Sequence, residues 1–235
     1  MCIACWHDHR GCKFQGRRRQ INVIRSPGRL ATRAGRSVIL ADCDTQHSSS
    51  EWSEEATPGV RTIRLESPDR ILDQLPHLKQ EADVVIADGP GSNTETSRAL
   101  LLRADIAIVP CKASMLEVRA LAQATSVLRQ AQDIRDGMPK AVIVLSMVGR
   151  NYRLTQDMKE AARALELPLA EPAITLRQVY ADGPGQGAVV WKLGTRAKEA
   201  AEEICNLFDE IFPGLSPHPS SPKPKATRQL AKAET

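Results

Sequence analysis

"DVVIADGPGSNTETSRALLLRADIAIVP", residues 83–110, holds two continuous apolar runs, Asp83–Asp88 and Asp105–Pro110, on either side of an amphipathic segment, Thr94–Arg103. A strand with one wet face alternates apolar and polar residues. These runs do not alternate, so both of their faces must be covered. A strand, a helix and a second strand in this order read as a βαβ unit, which predicts an α/β protein with a mostly parallel sheet and helices on both faces.

The same alternation continues in both directions. "SVILAD" (Ser37–Asp42) precedes the unit, "AVIVLSMV" (Ala141–Val148) follows it, and "PAIT" (Pro172–Thr175) is a candidate short last strand. Asp69–Glu81, Met115–Asp133, Thr155–Leu165 and Thr195–Ile211 have helical spacing and good helix formers. After Phe212 the text becomes PGLSPHPSSPKPKATRQLAKAET, rich in proline, serine and lysine and without periodicity, which predicts a disordered basic tail over 213–235. The 235 residues therefore divide into an α/β domain over 35–212, that tail, and an aberrant opening segment over 1–34 that obeys neither pattern.

A hydrophobic share of 42% is enough for a sizeable core, and 3% aromatics makes that core aliphatic. No apolar run approaches the roughly 20 residues that span a bilayer, and the start lacks a signal peptide's apolar stretch, so a cytoplasmic protein is expected. Cys2, Cys5, Cys12, Cys43, Cys111 and Cys205 show no disulfide-framework spacing and read as reduced thiols. The formal charge of +4 leans on Arg10, Lys13, Arg17, Arg18, Arg19, Arg25 and Arg29 of the opening segment, which makes it weak ground for a nucleic-acid partner.

In an open parallel sheet, ligands bind beyond the carboxyl ends of the strands. Two such ends are acidic. In "ILADCDTQHSSSEW" Asp42 and Asp44 close a strand, with Gln46 and Ser48 behind them; in "VVIADGPGSNTE" Asp88 closes another and is followed by Gly89, Pro90 and Gly91. Carboxylates in these places can hold the water shell of Mg2+. Taken one at a time, they read equally as helix caps or turn formers.

"GRSVILADCDTQHSSSEW", "ADVVIADGPGSNTETSRALLLRADIAIVPCKAS" and "LRQVYADGPGQGAVVWKLG" resemble, in order and spacing, the ParA/MinD superfamily of deviant P-loop ATPases, most closely its plasmid-partition ParA branch. The resemblance runs from about Gly35 to Phe212. It implies ATP and Mg2+ as cofactors, Asp88 as the Walker B aspartate on the metal side, and Asp44 in a second acidic motif that positions the attacking water and shares the metal. It further implies Asp42 and Gly89 beside the nucleotide, with Arg150 and Asn151 of "GRNYRL" on the adenine side. The implied partners are a second copy of the chain in an ATP-closed homodimer, nonspecific DNA of the nucleoid, and a ParB-like adaptor that stimulates slow hydrolysis. Two rival readings are a nucleotide-free binding module with the same fold and a MinD-like membrane-associated ATPase. The latter calls for an amphipathic C-terminal helix, and Pro217, Pro219, Pro222 and Pro224 interrupt the tail.

The resemblance also implies a first strand and a phosphate loop, KGGxGK[ST]T, whose backbone N–H groups and lysines hold phosphates. The chain contains no such sequence. Written in allowed codons and read one base later, His7–Gly28 becomes MIIAVASSKGGVGKSTSSAHLA: a methionine, an apolar strand, a complete phosphate loop and an amphipathic helix. Synonymous codon choice leaves first bases nearly fixed, and the arginine codons carry the central G that starts glycine and valine codons once shifted. The opening segment therefore reads as out-of-frame text, with the frame restored between Arg29 and Gly35. First strand and loop are accordingly expected to be missing or disordered. Cys2, Cys5, His7, His9 and Cys12 suggest half a zinc site, but their spacing fits no common finger and out-of-frame text produces such clusters by accident.

Overall fold

The computed structural model describes residues 1–5, 35–90, 95–112, 115–149, 159–160, 162–164 and 166–213. Their strands form one seven-stranded sheet in the order β3-β2-β4-β1-β5-β6-β7. The strands are β1 (Cys2–Cys5), β2 (Val38–Asp42), β3 (Arg61–Arg64), β4 (Val84–Asp88), β5 (Ile106–Lys112), β6 (Lys140–Val148) and β7 (Ile174–Thr175). Every pairing is parallel. The expected βαβ unit is present, with helix α3 (Glu95–Leu101) between β4 and β5.

The two faces of the sheet carry separate cores, as unalternating strands require. On one face Ile3, Leu40, Ile86, Ile108 and Val144 meet Ile204, Leu207 and Phe208 of helix α6 (Lys198–Ile211). On the other, Cys2, Ala4, Ile39, Val85 and Ala87 meet Leu100 of α3 and Ile71, Leu75 and Leu78 of helix α2 (Pro68–Glu81). The latter three recur at helical spacing, and α2 starts where it does because Ser67 accepts a hydrogen bond from the Arg70 N–H and Pro68 follows at the first helical position. Helix α4 (Met115–Ile134) covers β5 and β6, burying Leu121, Val127, Leu128 and Ala131. Among the described residues, no helix is long and apolar enough to cross a membrane.

The first strand corrects the sequence reading. It was expected to be missing, yet Cys2–Cys5 fills the central slot of the sheet, paired to β4 on one side and β5 on the other. Cys2, Ile3 and Ala4 are at most 1% exposed. The physical reason is that three small or branched apolar side chains suit a strand covered on both faces, and a side chain outside the segment fixes them: the Asp105 carboxylate accepts the Cys2 N–H at 2.7 Å. The strand's brevity hid it among cysteines and histidines. The phosphate loop expected within 6–34, the adenine-side positions Arg150 and Asn151, and the tail from 214 onward lie outside the described residues.

Three elements were not foreseen. Helix α1 (Ser48–Ala56) is serine-rich, edge strand β3 is RTIR, and helix α5 (Val179–Gly185) contains Asp, Gly and Pro. The last long helix begins as a 3-10 turn, Thr195–Ala197, before α6 proper.

Candidate functional site

Strand β1 is the switch point of the sheet: the chain leaves it toward β2 on one side, and later crosses from β4 over β1 to β5 on the other. Crevices outside the carboxyl ends of strands at such a point are where open α/β sheets bind ligands. The register puts three carboxyl ends in one row there. Asp42 pairs with Asp88, and Asp88 pairs with Cys5.

Each carboxylate of the row is held. Asp42 is fully buried and accepts from the Ser50 N–H at 2.7 Å and the Asp44 N–H at 3.2 Å. Asp88, 4% exposed, accepts a short hydrogen bond from the Ser49 hydroxyl, and its own carbonyl accepts the Cys43 N–H at 2.7 Å. Both donors from positions 49 and 50 belong to the first turn of α1, so the positive end of that helix faces two adjacent carboxylates. This explains why a segment as poor in helix formers as SSSEWSEEA is helical: its N-terminal turn is stabilised by charge, and its buried serines, Ser49, Ser50 and Ser53, are hydrogen-bonded.

Asp44 lies two residues beyond Asp42 and is half-exposed. Its side chain accepts the Gln46 N–H at 3.0 Å and its carbonyl accepts the His47 N–H at 3.0 Å, which makes a tight turn that leads into α1. Gly89 follows Asp88 and is buried. Behind it the Ser97 hydroxyl of α3 donates to the Pro90 carbonyl at 2.9 Å, tying α3 back to the loop after β4. Asp42, Asp44, Asp88 and Gly89 therefore share one end of the sheet. Ser49, which sequence reasoning passed over, joins them, and its signal was a helix-turn offset of hydroxyls after two aspartates.

The local field is negative. Burial pushes the Cys43 thiol well above its ordinary range, and the neighbouring Asp88, Asp42 and Cys2 push it further the same way. Burial likewise raises Cys2 to about 12, with Asp105 adding to the effect. Neither thiol is a nucleophile at neutral pH. A negative row suits a hard divalent cation. Among the described residues no group of three or more His, Cys, Asp or Glu side chains forms a metal-holding set. Mg2+ takes one or two carboxylates and completes its octahedron with water and substrate oxygens. Asp88 and Asp44 are the side chains that would hold it, while Asp42 is fully buried with both oxygens engaged within the protein.

At the start of α1 the Ser50 N–H, one of the donors that make a helix N-terminus a natural anion site, is turned on Asp42.

Comparison with known proteins agrees with this geometry. No family model matches the chain. The chain is 27% identical over 187 residues to the maintenance of carboxysome distribution protein A of Halothiobacillus neapolitanus, covering 77% of this chain and 85% of that protein. An ATP complex of a Cyanothece McdA variant superposes with a TM-score of 0.69 at 14% identity, over 89% of this chain and 95% of that one. A ParA family ATPase from Chlorobium tepidum superposes with a TM-score of 0.63 at 13% identity, over 86% and 96%.

Proposed function

With its fold that of the ParA/MinD P-loop ATPases, and a sequence match to McdA that supports the same superfamily, we propose that the gene encodes a ParA-like positioning ATPase whose present reading frame has lost its phosphate loop. The observation that carries this is the in-register row of Asp42, Asp88 and the end of β1 at the switch point. The cargo class is DNA, as the partition-branch resemblance implies, or a body such as the carboxysome in the relative's name. Binding of nonspecific DNA, closure of an ATP-dependent homodimer and stimulation by a ParB-like adaptor complete the reading.

The chain's own residues would act as follows. Asp88, steadied by Ser49, holds Mg2+ through its hydration shell. Asp44, half-exposed at the turn, orients a water. Asp42 fixes the turn that presents Asp44. Bound Mg-ATP supplies a transferable phosphoryl group whose charge must be neutralised by donors and lysines. Those donors are the part this sequence lacks.

The position of β1 supports the shifted-frame reading. Met1–Cys5 is Met-Cys-Ile-Ala-Cys, and the shifted-frame peptide opens Met-Ile-Ile-Ala-Val, the same pattern with more apolar volume. Seated in the same slot, that strand delivers Ala-Ser-Ser-Lys-Gly-Gly directly beyond the residue paired with Asp88. The loop would thus arrive beside the carboxylates.

Nucleotide titration and phosphate release on two proteins side by side test this. The chain as it stands should neither bind ATP measurably nor hydrolyse it. Charge-assisted hydrogen bonds are worth about 1.5–3 kcal/mol each, so two or three lost contacts take a micromolar site to millimolar or weaker. A chain that begins MIIAVASSKGGVGKSTSSAHLA and rejoins near Gly35 should do both, and Asp44→Ala in it should spare ATP binding while suppressing hydrolysis. Tight ATP binding by the unaltered chain, or none by the rejoined one, overturns the proposal, and the second outcome favours the nucleotide-free module. Sequencing the DNA across codons 7–35 checks the frame independently.

A further inference from the structure

Helix α1 has contacts at both ends. Its first turn holds Asp88 through Ser49 and Asp42 through Ser50, and the Arg64 guanidinium donates to the Ser50 hydroxyl at 2.9 Å. Its last turn is held by a segment more than 130 residues away: the Lys192 ammonium donates to the Ala56 carbonyl at 3.0 Å. Trp52 and Ala56 pack against Val189, with Trp191 partly covering them. A Cβ at Gly187 would stand 3.2 Å from the Glu55 carboxylate, so the backbone there runs against the helix. The bond is well placed electrostatically, since a cation on a terminal carbonyl complements the negative end of a helix whose positive end faces carboxylates.

We propose that Lys192 is a positioning residue for the Asp42–Asp88 pair and acts through α1. The inference rests on the reading of that pair as the ATPase site, and it adds that the segment 187–192 is a point from which the site can be adjusted. A nine-residue helix is about 13 Å long and moves as a rigid rod. Loss of its C-terminal anchor is therefore felt at Ser49 and Ser50. Whatever displaces Lys192, whether a partner protein or a second copy of the chain, loosens the hold on Asp88.

Amide exchange followed residue by residue on the whole chain, without nucleotide, tests the coupling. Lys192→Met should speed exchange of the Ser50 amide by about fivefold, the lower end of ordinary site-to-site couplings, while Lys192→Arg should leave it protected. In a double-mutant cycle, Lys192→Met and Ser49→Ala should depart from additivity by more than about twofold in the folding equilibrium constant, although the two side chains do not touch. Unchanged Ser50 exchange in Lys192→Met, or additivity in the cycle, overturns the proposal. Because no nucleotide is present, that failure is separate from failure of the ATPase reading, which the nucleotide titrations of the unaltered and rejoined chains report.

Discussion

Replacing Asp105 should loosen β1, the central strand of the sheet. Its carboxylate accepts the Cys2 N–H at 2.7 Å through one oxygen and the Lys79 ammonium at 2.7 Å through the other, while its own N–H donates to the Cys2 carbonyl at 2.8 Å. Burial acts to raise the Asp105 pKa, but the hydrogen bonds from Lys79 and Cys2 outweigh it and the net shift is downward. Asp105→Ala removes a charged acceptor from a partly buried N–H, worth about 1.5–3 kcal/mol, and an ion pair whose side chains are 28–29% exposed, worth under about 1 kcal/mol. A loss of about 2–3 kcal/mol is expected, roughly 30- to 150-fold in the folding constant, measured as a lower urea midpoint at unchanged slope. Lys79→Met should cost under about 1 kcal/mol. The pH dependence has a definite sign. A carboxylate whose folded pKa is depressed contributes stability that is present above its unfolded pKa, near 3.9, and is lost as pH falls through the folded value. The gap between the two proteins should therefore be constant from about pH 6 to 8 and close below about pH 4. If Asp105→Ala costs no more than Lys79→Met, or if the gap persists in acid, the carboxylate does not anchor β1.

Other outcomes follow from the same coordinates. Arg177 donates to Glu203 through two nitrogens, and Glu203 also accepts from the Thr175 N–H and the Tyr180 hydroxyl; Arg177→Ala should cost about 2–3 kcal/mol in a denaturant titration, because a half-buried carboxylate is left without its cation. His47 caps α1 at a φ of 48°, a left-handed conformation that favours glycine, so His47→Gly should raise Tm by roughly 1–4 °C, whereas a fall would show that the His47–Glu66 pair outweighs the strain. Cys2 and Cys43, with thiols raised by burial, should resist maleimide at pH 7 until urea unfolds the chain, as peptide mass mapping would report.

The parts of the fold that were legible in the sequence are those in which one physical effect dominates. Val84–Asp88 and Val38–Asp42 are uninterrupted apolar runs and could not be anything but covered strands. The parts that were not legible depend on partners distant in sequence. RTIR of β3 has no buried residue and becomes a strand only because β2 offers it a free edge. The sequence VYADGPG should not be helical on propensity, yet Tyr180 reaches the Ala200 carbonyl and Arg177 grips α6, so tertiary contacts override glycine and proline. At the site, Asp42, Asp44 and Asp88 could be found by their position at strand ends, but which of them has its oxygens occupied within the protein could not. That division depends on Ser50 and the Asp44 N–H occupying the Asp42 oxygens, a matter of helix placement.

The same placement constrains the chemistry. Two donors in the first turn of α1, the Ser49 hydroxyl and the Ser50 N–H, are committed to carboxylates, and the Asp44 N–H of the preceding turn is a third. A nucleotide's phosphates and an acidic metal site cannot be served by one helix end. On the proposed reading the sheet separates them: α1 steadies the carboxylates from the β2 side, and the phosphate cradle would rise from β1, one strand beyond Asp88. On that reading, a chain with β1 but no glycine-rich loop after it keeps the half that would bind the cation and lacks the half that would bind the anion. Divalent cation binding without nucleotide should therefore be weak and equal in the unaltered and rejoined chains, since two carboxylates alone hold Mg2+ poorly. ATP should raise cation affinity only in the rejoined chain. Titration of Mn2+ by its electron paramagnetic resonance signal, with and without ATP, measures both; an ATP-dependent rise in the unaltered chain would show that the cradle is built from residues other than the shifted loop.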